Sequence, residues 1–536
     1  MWILMISLLT EIPYPNQPDW ESIDNDYSTG GALVDVDLDG DPDFITGNGN
    51  DMAQNRNKVY YNYNDTLQHI AGWQSSDVGY NAHISLGDIN YDGYPDLAVA
   101  NYGDPYTPQD DKFYYNLSGN FQANSSWHPK DRDNSFACAF GDMDGDGDLD
   151  LAVACGEAYG DSAQKAKVYL NNNGILDTLP VWQSNIVSYF YDVSWVDIDQ
   201  DGDLDLGLAA ELGPNLIYRN TNGILESTPY WQSAQSLNTL KLAFGDIDND
   251  GDLDMVCANN GQLGGQSNCQ LYLNTGTNLS TTPSWTSQNL TYYSCVALGD
   301  VDQDGDLDIA AGGWWESVKV FENTGGTFPT TPSWQWSPSS PYYLVCENIS
   351  FGDVDNTQPV SITNEPHLIT PTKRVFYLNN RWIKNITRVR RASGDLTRDQ
   401  YCFSYIDGWV SIKNIISQTE TIWVDYTFSK NLDLIVTNWD QSRGNFLFLN
   451  TMSPYVSENV ENSIEKISIF PNPNKGSFSI QTSYSDILIK IFDVSGRLIK
   501  KQNGKDVRID KDGIYFIQIY DKTKLLHSAK IIVMTK

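Results

Sequence analysis

Residues 140–154 read FGDMDGDGDLDLAVA. Two apolar runs flank a nonapeptide with carboxylates at positions 1, 3, 5, 7 and 9 and glycine at position 6. Related nonapeptides recur as DVDLDGDPD (35–43), DINYDGYPD (88–96), DIDQDGDLD (197–205), DIDNDGDLD (246–254) and DVDQDGDLD (300–308). The flanks are short and bounded by turn residues, which is strand chemistry, with no sustained helical period. Two like charges ~4 Å apart at an effective dielectric of ~20 repel by roughly 4 kcal/mol, so four carboxylates in one tight loop favour a bound cation. Hard oxygen donors at this density, around a glycine that permits a sharp turn, suit Ca²⁺.

The candidate ligand positions are Asp35, Asp37, Asp39, Asp41 and Asp43; Asp88, Asn90, Asp92, Tyr94 and Asp96; Asp142, Asp144, Asp146, Asp148 and Asp150; Asp197, Asp199, Asp201, Asp203 and Asp205; Asp246, Asp248, Asp250, Asp252 and Asp254; and Asp300, Asp302, Asp304, Asp306 and Asp308. In each loop the expected donors are the side chains at positions 1, 3, 5 and 9 and the carbonyl at position 7, giving about six Ca²⁺ sites. An EF-hand would need a glutamate at position 12 and flanking helices. Position 12 here is Thr46, Val99, Val153, Leu208, Cys257 or Ala311, so that reading fails. The metals are expected to hold hairpins in shape rather than to catalyse.

A tryptophan accompanies each unit, at Trp20, Trp73, Trp127, Trp182, Trp231, Trp285, Trp334 and Trp382, with spacings of 48–55 residues. Four strand-like runs per ~50 residues is the size of one propeller blade. The expected fold is all-β: an eight-bladed β-propeller, with seven blades and one unit outside the ring as the alternative, followed by a small C-terminal β-sandwich. The chain begins with an orphan Trp strand near 19–22, and the last unit lacks its fourth strand near 445–450. Pairing the two closes the ring and removes exposed edges. The seventh copy of the acidic loop starts at Asp353 and Asp355 and then degenerates, and the eighth reads DYTFSKNLD (425–433). The eighth unit holds an expected insertion of roughly 28 residues by its longer Trp-to-loop distance, with Arg388, Arg390 and Arg391 in it.

The strings FGDMDGDGDLDLAVA and FGDIDNDGDLDMV resemble the FG-GAP (VCBS-type) repeats of integrin α-like propellers and their bacterial relatives. The resemblance covers about 19–450 and implies a propeller whose calcium loops join the first and second strands of each blade. It also implies a scaffold used for adhesion, sugar binding and, in some polysaccharide lyases, catalysis. From Ile464 the chain reads KISIFPNPNKGSFSIQ, IKIFDVSGRLIKK and DGIYFIQIYDKTKLLHSAKIIV. This is similar to the type IX secretion system (Por) sorting domain at Pro471, Asn472, Pro473, Gly476, Gly496, Arg497, Gly513 and Tyr515. The likeness implies type IX secretion machinery as a partner and delivery outside a Gram-negative, Bacteroidota-like cell, as a secreted protein or on the outer-membrane surface.

Charge divides the chain at the same place. Residues 464–536 hold 13 basic and 7 acidic side chains, whereas 1–463 hold 21 and 62. The expected domains are a remnant of a signal peptide at 1–17, the propeller at 18–453, a linker at 454–463 and the sorting β-sandwich at 464–536. Strong acidity disfavours nucleic acid, and no run approaches the ~20 apolar residues of a membrane span. Seven cysteines without CxxC spacing argue against zinc, and Cys257 and Cys269 fall on consecutive predicted strands as a candidate disulfide.

No GxSxG, HExxH or Walker string occurs, and no catalytic set stands out, so the first reading is a binding module for glycan or protein. A lyase-like, polysaccharide-degrading enzyme is the alternative. The loops on the face opposite the calcium sites are rich in aromatic residues: Tyr102, Tyr106, Tyr159, Tyr189, Tyr191, Tyr292, Tyr293, Trp314, Trp315, Tyr342 and Tyr343. Such rings suit sugar stacking or protein contact, and they are the candidate ligand-binding residues.

Overall fold

The computed structural model describes residues 12–452 apart from 51, 105–106, 277, 289–291 and 414. In the C-terminal unit it describes 468–470, 477–481, 487–493, 497–509, 511, 513–521 and 524–533. Apart from one 3-10 turn at Arg398–Gln400, every regular element among them is a strand. The apolar runs become antiparallel ladders joined across the acidic nonapeptides. In the first blade Ser28–Val34, Asp43–Asn50, Lys58–Tyr60 and Trp73–Gln74 pair in that order. Blades three to six repeat this order, starting at Ser135–Gly141, Tyr189–Val196, Thr239–Gly245 and Tyr292–Gly299. The second blade keeps three strands, Asn81–Gly87, Asp96–Asn101 and Lys112–Tyr114. Its Trp127 segment meets the third of these through Ser126 N–H to Phe113 O at 2.9 Å and Phe113 N–H to Ser125 Oγ at 3.0 Å.

The seventh blade is made from both ends of the region. Its order is Ile349–Gly352, Asp433–Val436, Phe446–Phe448 and then Trp20–Glu21. Trp20 lies opposite Leu447 and Glu21 opposite Phe446, as strand counting predicts. Arg443 grips the Glu21 carboxylate with two bonds of 2.5 and 2.6 Å. The first strands of the blades touch in a closed cycle of seven. A second cycle runs further out: the fourth-strand Trp of each blade meets an aromatic ring on the third strand of the next. These pairs are Trp20–Tyr60, Trp73–Tyr114, Trp127–Tyr169, Trp182–Tyr218, Trp231–Tyr272, Trp285–Phe321 and Trp334–Phe448. Each is edge-to-face, the arrangement that aromatic quadrupoles favour.

The eight-blade count is therefore corrected to its seven-bladed alternative among the described residues. Trp382 is outside the cycle and packs edge-on against Phe351. It belongs to an insert at 359–429 that interrupts the seventh acidic loop, far longer than the 28 residues expected. Asp425 lies inside the strand Glu420–Ser429 and does not begin a loop. The insert forms two sheets: Pro359–Ile369, Glu420–Ser429, Ile383–Arg391 and Gly394–Asp395 in one, and Val375–Tyr377, Trp409–Ile412 and Tyr401–Phe403 in the other. Its apolar side chains, among them Ile369, Val410 and Val424, share one buried cluster with Val34, Ile45 and Leu97 of the first two blades.

All seven cysteines are buried free thiols. The candidate disulfide is not formed: Cys257 stands opposite Gln270 and Cys269 opposite Ala258. Residues 455–536 form a separate compact unit. Its sheets run Ser468–Phe470, Ser477–Gln481, Asp506–Arg508 and Leu498–Asn503, Ile487–Asp493, Gly513–Asp521, Lys524–Val533. Phe478, Ile480, Ile489, Ile491, Ile517 and Ile519 share its core. Arg497, Gly513 and Tyr515 of the sorting motifs are described, whereas Pro471, Asn472, Pro473 and Gly476, with Gly496, residues 1–11 and the linker 454–463, lie outside the described residues.

Truncating Trp20 should open the ring where the chain ends meet. Trp20→Ala is expected to cost about 3–5 kcal/mol, the usual range for a buried Trp. Trp315→Ala, at a residue 45% exposed, should change stability by less than about 0.5 kcal/mol. Denaturant unfolding of the two variants checks this; equal losses would contradict the closure.

Candidate functional site

The acidic loops curl around their first carboxylate. In the first loop the N–H groups of Asp39 and Gly40 donate to the two oxygens of Asp35 at 3.2 and 3.0 Å. The curl needs a left-handed residue at position 4 (Leu38, φ 60°) and a positive φ of 107° at position 6, where Gly40 costs nothing. Three carboxylate oxygens then converge within 4.8 Å of one another in the loops holding Asp35, Asp37 and Asp39; Asp142, Asp144 and Asp150; Asp197, Asp199 and Asp205; Asp246, Asp248 and Asp250; and Asp300, Asp302 and Asp304.

Position 9, which enters two of these groups as Asp150 and Asp205, has a further task. Asp43 opens the second strand, fully buried, with Oδ2 accepting Val36 N–H at 3.0 Å and Oδ1 accepting Asn62 N–H at 2.8 Å. Asp96, Asp150, Asp205, Asp254 and Asp308 repeat both bonds. The asparagine that supplies the second bond follows each third strand, and its amide reaches the neighbouring blade. Asn116, Asn171, Asn220, Asn274, Asn323 and Asn450 donate to the carbonyls of Val36, Ile89, Met143, Ile198, Ile247 and Val301 at 2.7–2.9 Å, and Asn62 donates to Val354. Sequence reading missed these asparagines, although the recurring N after KVYL-type strands was the available signal.

The seventh loop keeps this frame although the insert splits it. Asp433 accepts Val354 N–H at 2.7 Å and Asn450 N–H at 2.7 Å, which makes it the position-9 residue. Thr357 N–H donates to Asp353 Oδ1 at 3.0 Å, as Asp39 does to Asp35. Side chains at position 7 are turned toward neighbouring loops. Asp41 accepts from Asn356, Asp148 from Tyr91, Asp252 from Gln200 and Asp306 from Asn249. Asp203 pairs instead with Arg374 of the insert at 3.2 Å.

The insert touches the acidic loops at more than that point. Arg398 holds Asp88 at 2.7 Å, Ser411 donates to Asp142 at 2.7 Å, and the Tyr377 hydroxyl accepts Asp197 N–H at 3.1 Å. Beside it a groove of about 660 Å³ opens between the insert and the loops at 197, 246 and 300, with Asn380 and Lys430 on its wall. The basic cluster is spent within the insert: Arg388 on Asp395, Arg391 on Glu420, and Arg390 over the Trp423 ring.

The donors fit a calcium ion. Buried carboxylate oxygens of Asp197, Asp300, Asp248 and Asp148 have no hydrogen-bond partner, and an all-oxygen set around a hard cation is the chemistry that would satisfy them. Burial is also the main reason the position-9 carboxyls rise, to about 8 at Asp43, Asp96 and Asp308, and burial followed by the neighbouring carboxylates lifts Asp35 to about 6.

The aromatic candidates of the opposite face separate into two groups. Tyr102, Tyr191, Tyr293 and Trp314 are buried, and Tyr106 lies outside the described residues. Trp315, Tyr342 and Tyr343 are exposed at 45%, 42% and 58%, and Tyr159 at 50%; Tyr189 and Tyr292 are half-buried. Trp315 stands edge-on to Tyr292 and Trp439, and Tyr27 lies beside Trp439, an aromatic patch over blades six, seven and one, while Tyr159 and Tyr189 belong to blades three and four.

Comparison with known proteins agrees with this geometry. The FG-GAP-like repeat matches residues 35–99, 88–153, 197–257 and 250–311, which together span all six acidic loops. The secretion system C-terminal sorting domain matches residues 468–534. The chain is thus a repeat propeller with an export domain. More particularly, it is a secreted or cell-surface propeller of FG-GAP-like repeats with the sorting domain of Bacteroidota-like bacteria. No curated protein matches it. Among solved structures, BBS1N in complex with ARL6DN is similar at 10% identity and a TM-score of 0.41, over 82% of this chain and 97% of that one. Sqt1 of Saccharomyces cerevisiae is similar at 9% identity and a TM-score of 0.38, over 81% and 98%.

The raised carboxyls set the sign of a pH effect in metal-free protein. Asp43, Asp96 and Asp308 have folded values near 8 against an unfolded value of about 3.9. The folded chain therefore binds more protons, and the stability these groups contribute is complete below about pH 4 and lost as pH rises toward 8. Thermal midpoints in chelator are expected to fall between about pH 5 and pH 8. Millimolar calcium should raise them and flatten that fall. A calcium-independent midpoint, or a metal-free midpoint that climbs with pH, would contradict the site.

Proposed function

We propose that this protein is a calcium-stabilised binding module that meets a glycan through the exposed aromatic patch of Trp315, Tyr292, Trp439, Tyr342 and Tyr343. The observation that carries this reading is the exposed Trp315 ring in contact with the half-buried rings of Tyr292 and Trp439, on the face away from the acidic loops, with Tyr342 and Tyr343 exposed on the segment that leads into the seventh blade. Contiguous exposed apolar surface marks interaction sites, and ring faces bordered by hydroxyls and amides suit sugars. Calcium supports the patch indirectly, by fixing the loops that hold the blades in register.

A glycan array probed with the full-length, calcium-loaded chain tests the reading. Trp315→Ala with Tyr343→Ala should weaken any retained glycan at least about tenfold, about 1.4 kcal/mol, without altering the unfolding midpoint. A glycan held equally well by that variant but lost on Lys430→Trp, which fills the groove beside the insert, would move the site there and overturn the patch.

One observation favours a degradative second reading. Glu211 ends the second strand of the fourth blade, is 5% exposed, and its carboxyl has no hydrogen-bond partner among the described residues. Burial, and then Glu157, push that carboxyl up to about 8, so it keeps its proton at neutral pH. Glu157 is fully engaged, accepting Tyr102 Oη at 2.7 Å and Tyr159 N–H at 2.6 Å. A buried carboxyl that keeps its proton is the chemistry of a general acid. Shortened products from an acidic polysaccharide, abolished by Glu211→Gln, would replace binding with catalysis.

For the C-terminal unit, deletion of 464–536 should leave the protein inside the cell. Fractionation of medium, cell surface and periplasm measures this, and normal delivery of the truncated chain would refute the sorting role.

A further inference from the structure

His83, Asp192 and Lys241 stand at one register, each five residues ahead of the first carboxylate of its loop, on the first strands of blades two, four and five. His83 and Lys241 line a cavity of about 170 Å³ inside the ring, together with Ser85, Ser194 and Ser350. The insert contributes Arg381, Trp382 and Asp407 to the same wall.

Counting hydrogen-bond capacity shows what this chamber lacks. Its acceptors are committed. Asp192 takes Lys241 Nζ and Leu242 N–H, both at 2.9 Å. Asp407 takes Arg381 Nη2 at 2.7 Å and the Ser404 hydroxyl at 3.3 Å. The hydroxyl oxygens of Ser85 and Ser350 accept Phe140 and Leu33 N–H at 3.0 and 3.3 Å.

The donors are not committed. Lys241 spends one of its three N–H groups. Arg381 spends Nη1 on Phe244 O and Nη2 on Asp407, and its buried Nε–H has no partner. His83 is 3% exposed, and neither ring nitrogen has a hydrogen bond; the nearest carboxylate oxygen, of Asp192, is 3.8 Å from Nδ1. An unsatisfied buried donor is costly, so the Nε–H of Arg381 and the ring of His83, both without a partner, call for one at this cavity.

We propose that the axial chamber is a binding site for a small oxyanion such as a carboxylate, held by Lys241, His83 and Arg381. Engaged acceptors beside donors with N–H groups to spare are complementary to a ligand that only accepts, and charged donors make the stronger bonds to it. Because Lys241 and His83 belong to the ring and Arg381 to the insert, the anion fastens one to the other.

The full-length protein in calcium-containing buffer is heated in sodium chloride and in sodium formate or acetate at equal ionic strength. Formate or acetate is expected to raise the unfolding midpoint saturably, which chloride does not. Lys241→Met and His83→Phe should weaken the apparent affinity at least tenfold. Ser194→Leu breaks no side-chain hydrogen bond and fills the chamber, so it should abolish the rise even if Lys241→Met fails to fold with Asp192 left unpaired. A midpoint indifferent to both anions means that water alone fills the chamber and overturns the proposal. A rise unchanged in Ser194→Leu places the anion elsewhere and overturns it equally.

Discussion

One buried carboxylate per blade holds the ring in register. At position 9 of every acidic loop, including the split one, an aspartate fastens the loop's own second N–H and the N–H of the asparagine that follows the adjacent third strand. That asparagine then crosses to the loop of the preceding blade. A buried carboxylate without such partners would be costly, and with them it stiffens its surroundings. Strand order, loop shape and blade-to-blade contact therefore share a single polar joint, repeated around the ring. The outer Trp-to-aromatic contacts add apolar burial to interfaces that this joint has already placed.

Electrostatics explains where the insert rests. The loops crowd carboxylates onto one face, and the insert meets that face with Arg374, Lys373 and Arg398 rather than with its acidic residues. Guanidinium groups answer carboxylates with directional bonds and lose less on dehydration than ammonium groups. Loops under the insert gain protein cations as neighbours, whereas those at 246 and 300 border the open groove. Six loops with nearly the same sequence thus occupy different electrical surroundings.

Much of this was legible in the sequence because it lay in contiguous strings. The six nonapeptides, the strands around them, the export domain and the joining of Trp20 to the 445–450 region all follow from local pattern and counting. The blade number did not, because Trp382 falls 48 residues after Trp334 and imitates the period while sitting in inserted chain. Asp433 was read as the end of a separate eighth loop for the same reason: its true loop partners Asp353 and Asp355 lie about eighty residues earlier, so no window contains the whole motif. Ring exposure was also beyond reach. Tyr191 and Tyr293 alternate with strand neighbours that face the other way, and only the closed ring decides which side is covered.

The split loop has a meaning for how such a chain can change. Its two ends are pinned to each other by the Val354–Asp433 bond, so the intervening segment leaves and rejoins the ring at nearly one point. Lengthening a segment whose ends are held together costs only about 0.6 kcal/mol per doubling of its length. The seventh loop is therefore a socket: a module of almost any size can be accepted there while the ring around it keeps the same contacts. A propeller built this way can exchange the part that covers its acidic face without relearning how to fold.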